Sequence, residues 1–257
     1  MAFTIVGYDM ARADAVAALA VVTPVADQHV TIDGNNVIVP SELSNLIGEY
    51  AAHGTGAAGS PTLAQLQSPA LRRTFNPDIP RLHDSLAALS DEHINMHPES
   101  PVPLDKGEGL QAWLANGAVV AARGLVGVFF ADGSITPVHG AIFTLRYTTV
   151  TPAAANAWSL GTLTVIQALP AGRYQLVGAR VDSAGDCGLF RLVLTGHDWR
   201  PGGVITTGPT VGSPNCFRYG NLGVWGEFDD RHLPRIEILS IVGVANPAVC
   251  IDLIKVA

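Results

Sequence analysis

From about residue 119 onward the sequence alternates. Phe143, Leu145, Tyr147 and Thr149 are separated by Thr144, Arg146 and Thr148, a two-residue period that sends one set of side chains to each face of a β-strand. The period recurs at 160–168, 173–181, 187–195, 235–243 and 248–256. Turn sequences fall between these runs: Asp132-Gly133, Pro170-Ala-Gly172, Asp182 to Gly185, Pro201-Gly-Gly203 and Asn246-Pro247. Short strands divided by such turns build antiparallel sandwiches or barrels. With 119–130 and 222–227 the count is about eight, which suits a jelly roll. The expected fold is mainly β, with an antiparallel jelly-roll β-sandwich over 119–257.

Residues 1–118 read as an irregular, partly helical N-terminal arm. Alanine content predicts a short helix over 11–22. His29 to Pro40 reads as a hairpin, with Asp33-Gly34 at the turn. Ser41 is placed as an N-cap, and Leu43, Leu46, Ile47 and Tyr50 follow at helical spacing. Gly/Ala/Ser residues over 54–61 predict a flexible link. Six prolines lie between 69 and 103, a density that argues against a regular core. Residues 105–115 are predicted as a further helix.

Charged residues make up 14% of the 257, against about 25% in ordinary soluble domains. Too few charges are present to cover the surface of a solitary globule. A membrane span is not the explanation, because the most apolar window, 112–131, includes Asn116, Arg123 and three glycines. No secretory signal is read at Met1-Ala-Phe-Thr4. Two lysines stand against thirteen arginines, a bias shared with protein interfaces and equally with GC-rich genomes, which favour Arg, Ala and Gly. The net charge of −7 argues against direct nucleic-acid binding driven by charge. Three widely spaced cysteines, Cys187, Cys216 and Cys250, form neither a zinc pattern nor a disulfide framework.

Several segments resemble uncharacterised β-rich proteins of bacterial viruses and environmental viral sequences. They are Val37-Ile-Val-Pro40, Leu71-Arg-Arg-Thr-Phe-Asn-Pro-Asp78, Leu169-Pro-Ala-Gly-Arg-Tyr174, Val177-Gly-Ala-Arg180, Trp199-Arg-Pro-Gly202 and Phe217-Arg-Tyr-Gly-Asn-Leu-Gly-Val-Trp-Gly-Glu-Phe228. The likeness covers most of 28–257. These proteins look like the jelly-roll major capsid proteins of tailless icosahedral bacteriophages. The resemblance implies a virion subunit, assembled in the host cytoplasm, that partners copies of itself and other virion proteins. It brings no catalytic, cofactor or metal residues with it. A trimer or a six-fold capsomer both fit, and the sequence is neutral on membrane contact.

Two rival chemistries have residues to offer. Gly185-Asp-Cys187-Gly188 resembles the nucleophile motif of chymotrypsin-like viral cysteine proteases, in which glycines free backbone N–H groups for the oxyanion. Gly196-His197 would mark the specificity pocket. His53 would be the general base, oriented by Asp91 or Asp105. Against this, Ala51-Ala-His53 closes a predicted helix, and 55–116 shows no strand series able to build a first barrel. Alternatively, Trp199, Trp225, Tyr174, Tyr219 and Phe217 would form a carbohydrate-binding face. His93 and His97 have the spacing of zinc ligands on a helix, with no third ligand indicated.

Trp199, Arg200, Arg218, Tyr219 and Trp225 are the candidate subunit-contact residues. Glu227, Asp229 or Asp230 are the expected partners of the arginines. Arg218→Ala is expected to reduce assembly more than folding.

Overall fold

A computed structural model describes residues 2–11, 19–54, 61–74, 78–82, 93–115, 123–150, 157–183, 188–207, 215–240 and 247–256. They are mainly strand, and they divide into two compact units. One comprises Val6–Gly133. The other comprises Ser134–Ala257 with Met1–Ile5.

In the N-terminal unit the strands are β1 (Phe3–Ala11, whose first three residues belong to the other unit), β2 (Ala20–Pro24), β3 (Ile32–Asp33), β4 (Asn36–Ile38), β5 (Asn45–Gly54) and β6 (Pro61–Gln67). A one-and-a-half-turn helix, α1 (Pro69–Thr74), follows. Then come β7 (Asp78–Leu82), β8 (His93–Met96), β9 (Val102–Pro103), β10 (Gly109–Ala115) and β11 (Arg123–Ala131). All eleven strands belong to one sheet, with the main path β3-β4-β10-β2-β1-β11-β5-β8. Strand β6 lies on the other edge of β10 and carries β7. The core is formed by Tyr8, Val22, Leu46, Tyr50, Leu66, Leu110, Val126 and Phe130, all 1% exposed or less.

The hairpin expected at 29–40 is present as β3–β4, with Gly34 at φ +58° in its turn. The expected helices are not. Residues 41–50 lead into β5 instead, and 105–115 lead into β10. The helix expected over 11–22 falls partly outside the described residues, and its last residues begin β2. The proline-rich stretch contributes α1, β7, β8 and β9 and is no loose arm where it is described. The reason is burial. Leu46, Ile47, Tyr50 and Ala51 of β5 are all inaccessible, so both faces of the strand are apolar and its period of two is hidden. Gly48 confirms the strand setting: a Cβ there would lie 2.3 Å from Met96 Sδ on the neighbouring β8.

The C-terminal unit contains β12 (Ile142–Val150), β13 (Ser159–Val165), β14 (Arg173–Ser183), β15 (Gly188–Val193), β16 (Gly202–Thr207), β17 (Gly226–Asp229), β18 (Arg235–Ser240) and β19 (Ala248–Lys255). The predicted alternation is realised: Leu145, Tyr147 and Thr149 are buried, and Thr144, Arg146 and Thr148 are exposed. The sheet runs β16-β15-β18-β13-β12-β19-β14-β17, and a parallel pairing of β14 with β16 joins it into a ring. Seven strands therefore close a barrel, with β17 attached outside the ring on β14. The expected boundary near 119 lies outside the described residues. Strand β11, counted with the sandwich in the sequence, belongs to the other unit and pairs with β5.

The pairing within each unit is nested. In the C-terminal unit, first pairs with last (β12·β19), second with seventh (β13·β18), third with sixth (β14·β17) and fourth with fifth (β15·β16), all antiparallel. With the β3–β4 hairpin and short β9 set aside, the N-terminal unit repeats the scheme as β1·β11, β2·β10, β5·β8 and β6·β7. Third and eighth strands are also neighbours in both. That ladder carries a bulge in each unit, at Phe129/Phe130 and at Leu176/Gly178.

Candidate functional site

The C-terminal unit holds most of the residues singled out in the sequence. Asp252 is the only charge in the apolar run of β19, and it is completely inaccessible. A buried carboxylate requires hydrogen bonds and a counter-charge. Arg218, 9% exposed, supplies both: Nε donates to Asp252 Oδ2 at 2.9 Å and Nη2 donates to Oδ1 at 2.8 Å. The Thr144 hydroxyl bonds Asp252 Oδ1 at 2.5 Å and accepts from Arg218 Nη2 at 3.2 Å. The Tyr219 N–H adds a further bond to Oδ2 at 3.2 Å. The carboxylate holds the Arg218 guanidinium even more firmly charged than usual.

This fork fixes the segment that follows β16. The backbone of Phe217 and Arg218 crosses directly over Gly178, where a Cβ would lie 2.7 Å from Arg218 Cα. Tyr219 comes next, with φ +58°, the only non-glycine at positive φ among the described residues. Its ring is 47% exposed and stacks 4.4 Å from the Arg218 guanidinium. Gly220, at φ +78°, donates to Val177 O and accepts from the Val138 N–H.

The five candidate contact residues therefore separate. Arg218 and Trp225 (4% exposed) are interior; Trp225 packs edge-on to Phe3 at 5.3 Å. Trp199 and Arg200 are half-buried. Arg200 is tied to the Phe3–Ile5 segment of its own unit: its carbonyl accepts from the Ile5 N–H at 3.2 Å, and its N–H donates to Thr4 Oγ1 at 3.3 Å. Only Tyr219 of the five is exposed. The expected acidic partners also differ. Glu227 pairs with Arg173 at 2.7 Å, Asp229 with His232 at 2.9 Å, and Asp230 accepts from the Gly172 N–H. A second interior cation, Arg191, binds Glu237 and lies 4.0 Å over the Trp158 ring.

The rival chemistries are not assembled by the described residues. Residues 184–187, including Cys187, and Asp91 lie outside them. His53 sits on β5, paired with Gly124, and not at a helix end. That removes two sequence objections to the protease, since 55–116 is also rich in strands; it adds no catalytic contact. Asp105 is ion-paired to Arg73. Burial pushes the Cys216 thiol up to about 11, which makes it a poor nucleophile. Tyr174, Phe217 and Trp225 are core residues, so the proposed aromatic sugar face is not formed by them. His93 begins strand β8 and His97 lies just past its end, so the pair is not on a helix. Among the described residues no group of three His, Cys, Asp or Glu side chains could hold a metal. Among them also, no helix is long and apolar enough to cross a membrane.

Sequence reasoning missed one polar centre in the N-terminal unit. Glu49 of β5 is 2% exposed and bonds Asn95 Nδ2 at 2.5 Å and His97 Nε2 at 3.1 Å. Its hydrogen bond raises the His97 pKa above the usual 6.5. The available signal was a lone carboxylate inside the apolar run 46–52.

No protein-family model and no curated protein matches the chain.

Proposed function

We propose that the chain is a virion structural protein, a capsid subunit made of two jelly rolls in tandem that self-assembles into a closed icosahedral shell. The observation that carries this reading is the nested pairing in both units. A jelly roll is a long antiparallel ribbon, first strand against eighth through fourth against fifth, rolled over on itself. In the C-terminal unit the pairing β12-β19-β14-β17 and β13-β18-β15-β16 supplies the two four-stranded halves. The β12–β13 and β14–β16 pairings then bridge them into the observed ring.

Jelly rolls leave their faces free to tile against neighbours, and shells are a principal use of the fold. The low charge content supports extensive contacts between copies. Exposed Ile166, Tyr219 and Val256 supply apolar contact area. Two similar units per chain favour a trimer as the building block, because three chains then bring six similar units around one axis. Copies of the same chain and other virion proteins are the partners of this reading, and the virion is its location.

The test is direct. Purified protein is sized by light scattering and imaged by negative-stain microscopy over a range of salt and concentration. Trimers, capsomers or closed particles are expected. A strict monomer under all conditions would overturn the proposal.

A further inference from the structure

In the C-terminal unit the strands alternate in direction, so the connections 2–3, 4–5 and 6–7 all emerge at one end of the roll. In the C-terminal unit these connections are short, covering 166–172, 194–201 and 230–234. In the N-terminal unit all three are elaborated. The first carries the β3–β4 hairpin, the second carries α1, and the third runs from 97 to 108 with β9. Additions to a shared framework, placed at one end, are where function is grafted.

The three additions wall a single cleft of about 420 Å³, within the ~300–1,000 Å³ range of small-molecule sites. Asp33, Asn36 and Ile38 come from the hairpin, and Pro69 and Arg72 from α1. Gly107 comes from the third connection, and Gln67 and Gln111 form a cross-strand pair at its base. Its walls are braced from behind. Glu108 accepts from Ser68 Oγ, from the Ala70 N–H at 2.9 Å and from the Asp105 N–H at 3.1 Å, which ties α1 to the third connection. Gly109 lets the hairpin close in, since a Cβ there would stand 2.7 Å from Asn36 Oδ1.

The lining is polar and carries one charge of each sign, Asp33 and Arg72. Carboxamides of Asn36 and Gln111 offer donors and acceptors, while that of Gln67 accepts from Arg72 Nη2 at 2.8 Å and donates to Gln65 at 2.6 Å. The Gln111 amide and the Asp33 carboxylate make no hydrogen bond to the described residues. A neutral ligand whose groups both donate and accept matches this set, and hydroxyls do both. Ile38 and Pro69 provide a small apolar surface for the C–H face of a ring. The equivalent end of the C-terminal unit has a smaller cleft, about 270 Å³. Its charged groups are paired with one another, Arg173 with Glu227 and Asp229 with His232.

We infer that the cleft between β3–β4, α1 and β10 is a binding site for a neutral mono- or disaccharide. The inference rests on the strand scheme and not on assembly, so a chain that forms no particles can still be tested. Saturation-transfer NMR with maltose, lactose and N,N′-diacetylchitobiose as probes gives the readout on the full chain. At least one disaccharide is expected to receive saturation. Asn36→Ala and Gln111→Ala are each expected to weaken it about tenfold, the worth of one hydrogen bond. Exposed Arg72→Met should act the same way without touching the core, and unchanged near-ultraviolet dichroism verifies folding. The inference fails if none of the three sugars responds. It also fails if folded Arg72→Met and Gln111→Ala bind as well as the parent, or if Trp199→Ala, outside the cleft, abolishes the signal.

Discussion

Arg218 and Asp252 meet as a planar fork inside the C-terminal unit, with both guanidinium–carboxylate distances under 3 Å. Removing one member of such a pair leaves a buried charge without its partner, at a cost of about 3–5 kcal/mol. Arg218→Ala should therefore lower the urea midpoint of the subunit itself. This reverses the expectation from sequence that assembly would suffer more than folding. A variant that unfolds at the parental midpoint would contradict it. The double change Arg218→Met with Asp252→Leu should recover much of the loss.

Gly220 and Gly34 both have positive φ, but their surroundings differ. A Cβ at Gly220 would stand 2.2 Å from Val138 O, whereas one at Gly34 would meet nothing within 4 Å. Gly34→Ala should cost about 1 kcal/mol, the backbone strain alone. Gly220→Ala should cost more than about 3 kcal/mol, since a backbone carbonyl must also move. Equal thermal shifts for the two variants would refute the close approach.

The Glu49–His97 pair makes the stability of the N-terminal unit depend on pH. Because its folded-state pKa is raised, His97 contributes fully below its unfolded value near 6.5. That contribution declines as pH rises through the folded value. Urea titrations across this window should show stability falling toward alkaline pH. His97→Gln should flatten that slope, and a parental slope in the variant would exclude His97 as its source.

Cys216 should label slowly. With a thiol pKa of about 11, its thiolate fraction at pH 8 is about a hundredfold below that of a thiol at its ordinary value. Site-resolved mass spectrometry after brief iodoacetamide treatment should find it modified far faster in denaturant. Comparable rates in native protein would contradict its burial.

Much of the C-terminal unit was legible because its strands have one wet face. In β13, Leu160, Thr162 and Thr164 point out while Ser159, Gly161 and Leu163 point in, so the period of two survives in the sequence. Strand β5 is covered on both sides and shows no such period. Strand β10 did carry one, with Leu110, Ala112 and Leu114 buried between half-buried Gln111 and Trp113, and the helical assignment overlooked it. The Arg218–Asp252 and Glu49–His97 centres were not legible as pairs, since each joins residues more than thirty positions apart. A lone acid within an apolar strand was the hint that each left.

The nested pairing also bears on how the chain is made. In each unit the eighth strand is not an edge: β19 lies between β12 and β14, and β11 lies between β1 and β5. During synthesis the strand delivered last must therefore enter the middle of its sheet. Until it does, the first and third strands have no partner between them, and their apolar faces and open edges stand exposed. Folding of each unit is gated by the ribosome reaching that last segment, which marks the interval when a chaperone, or a neighbouring nascent chain, has the most surface to seize.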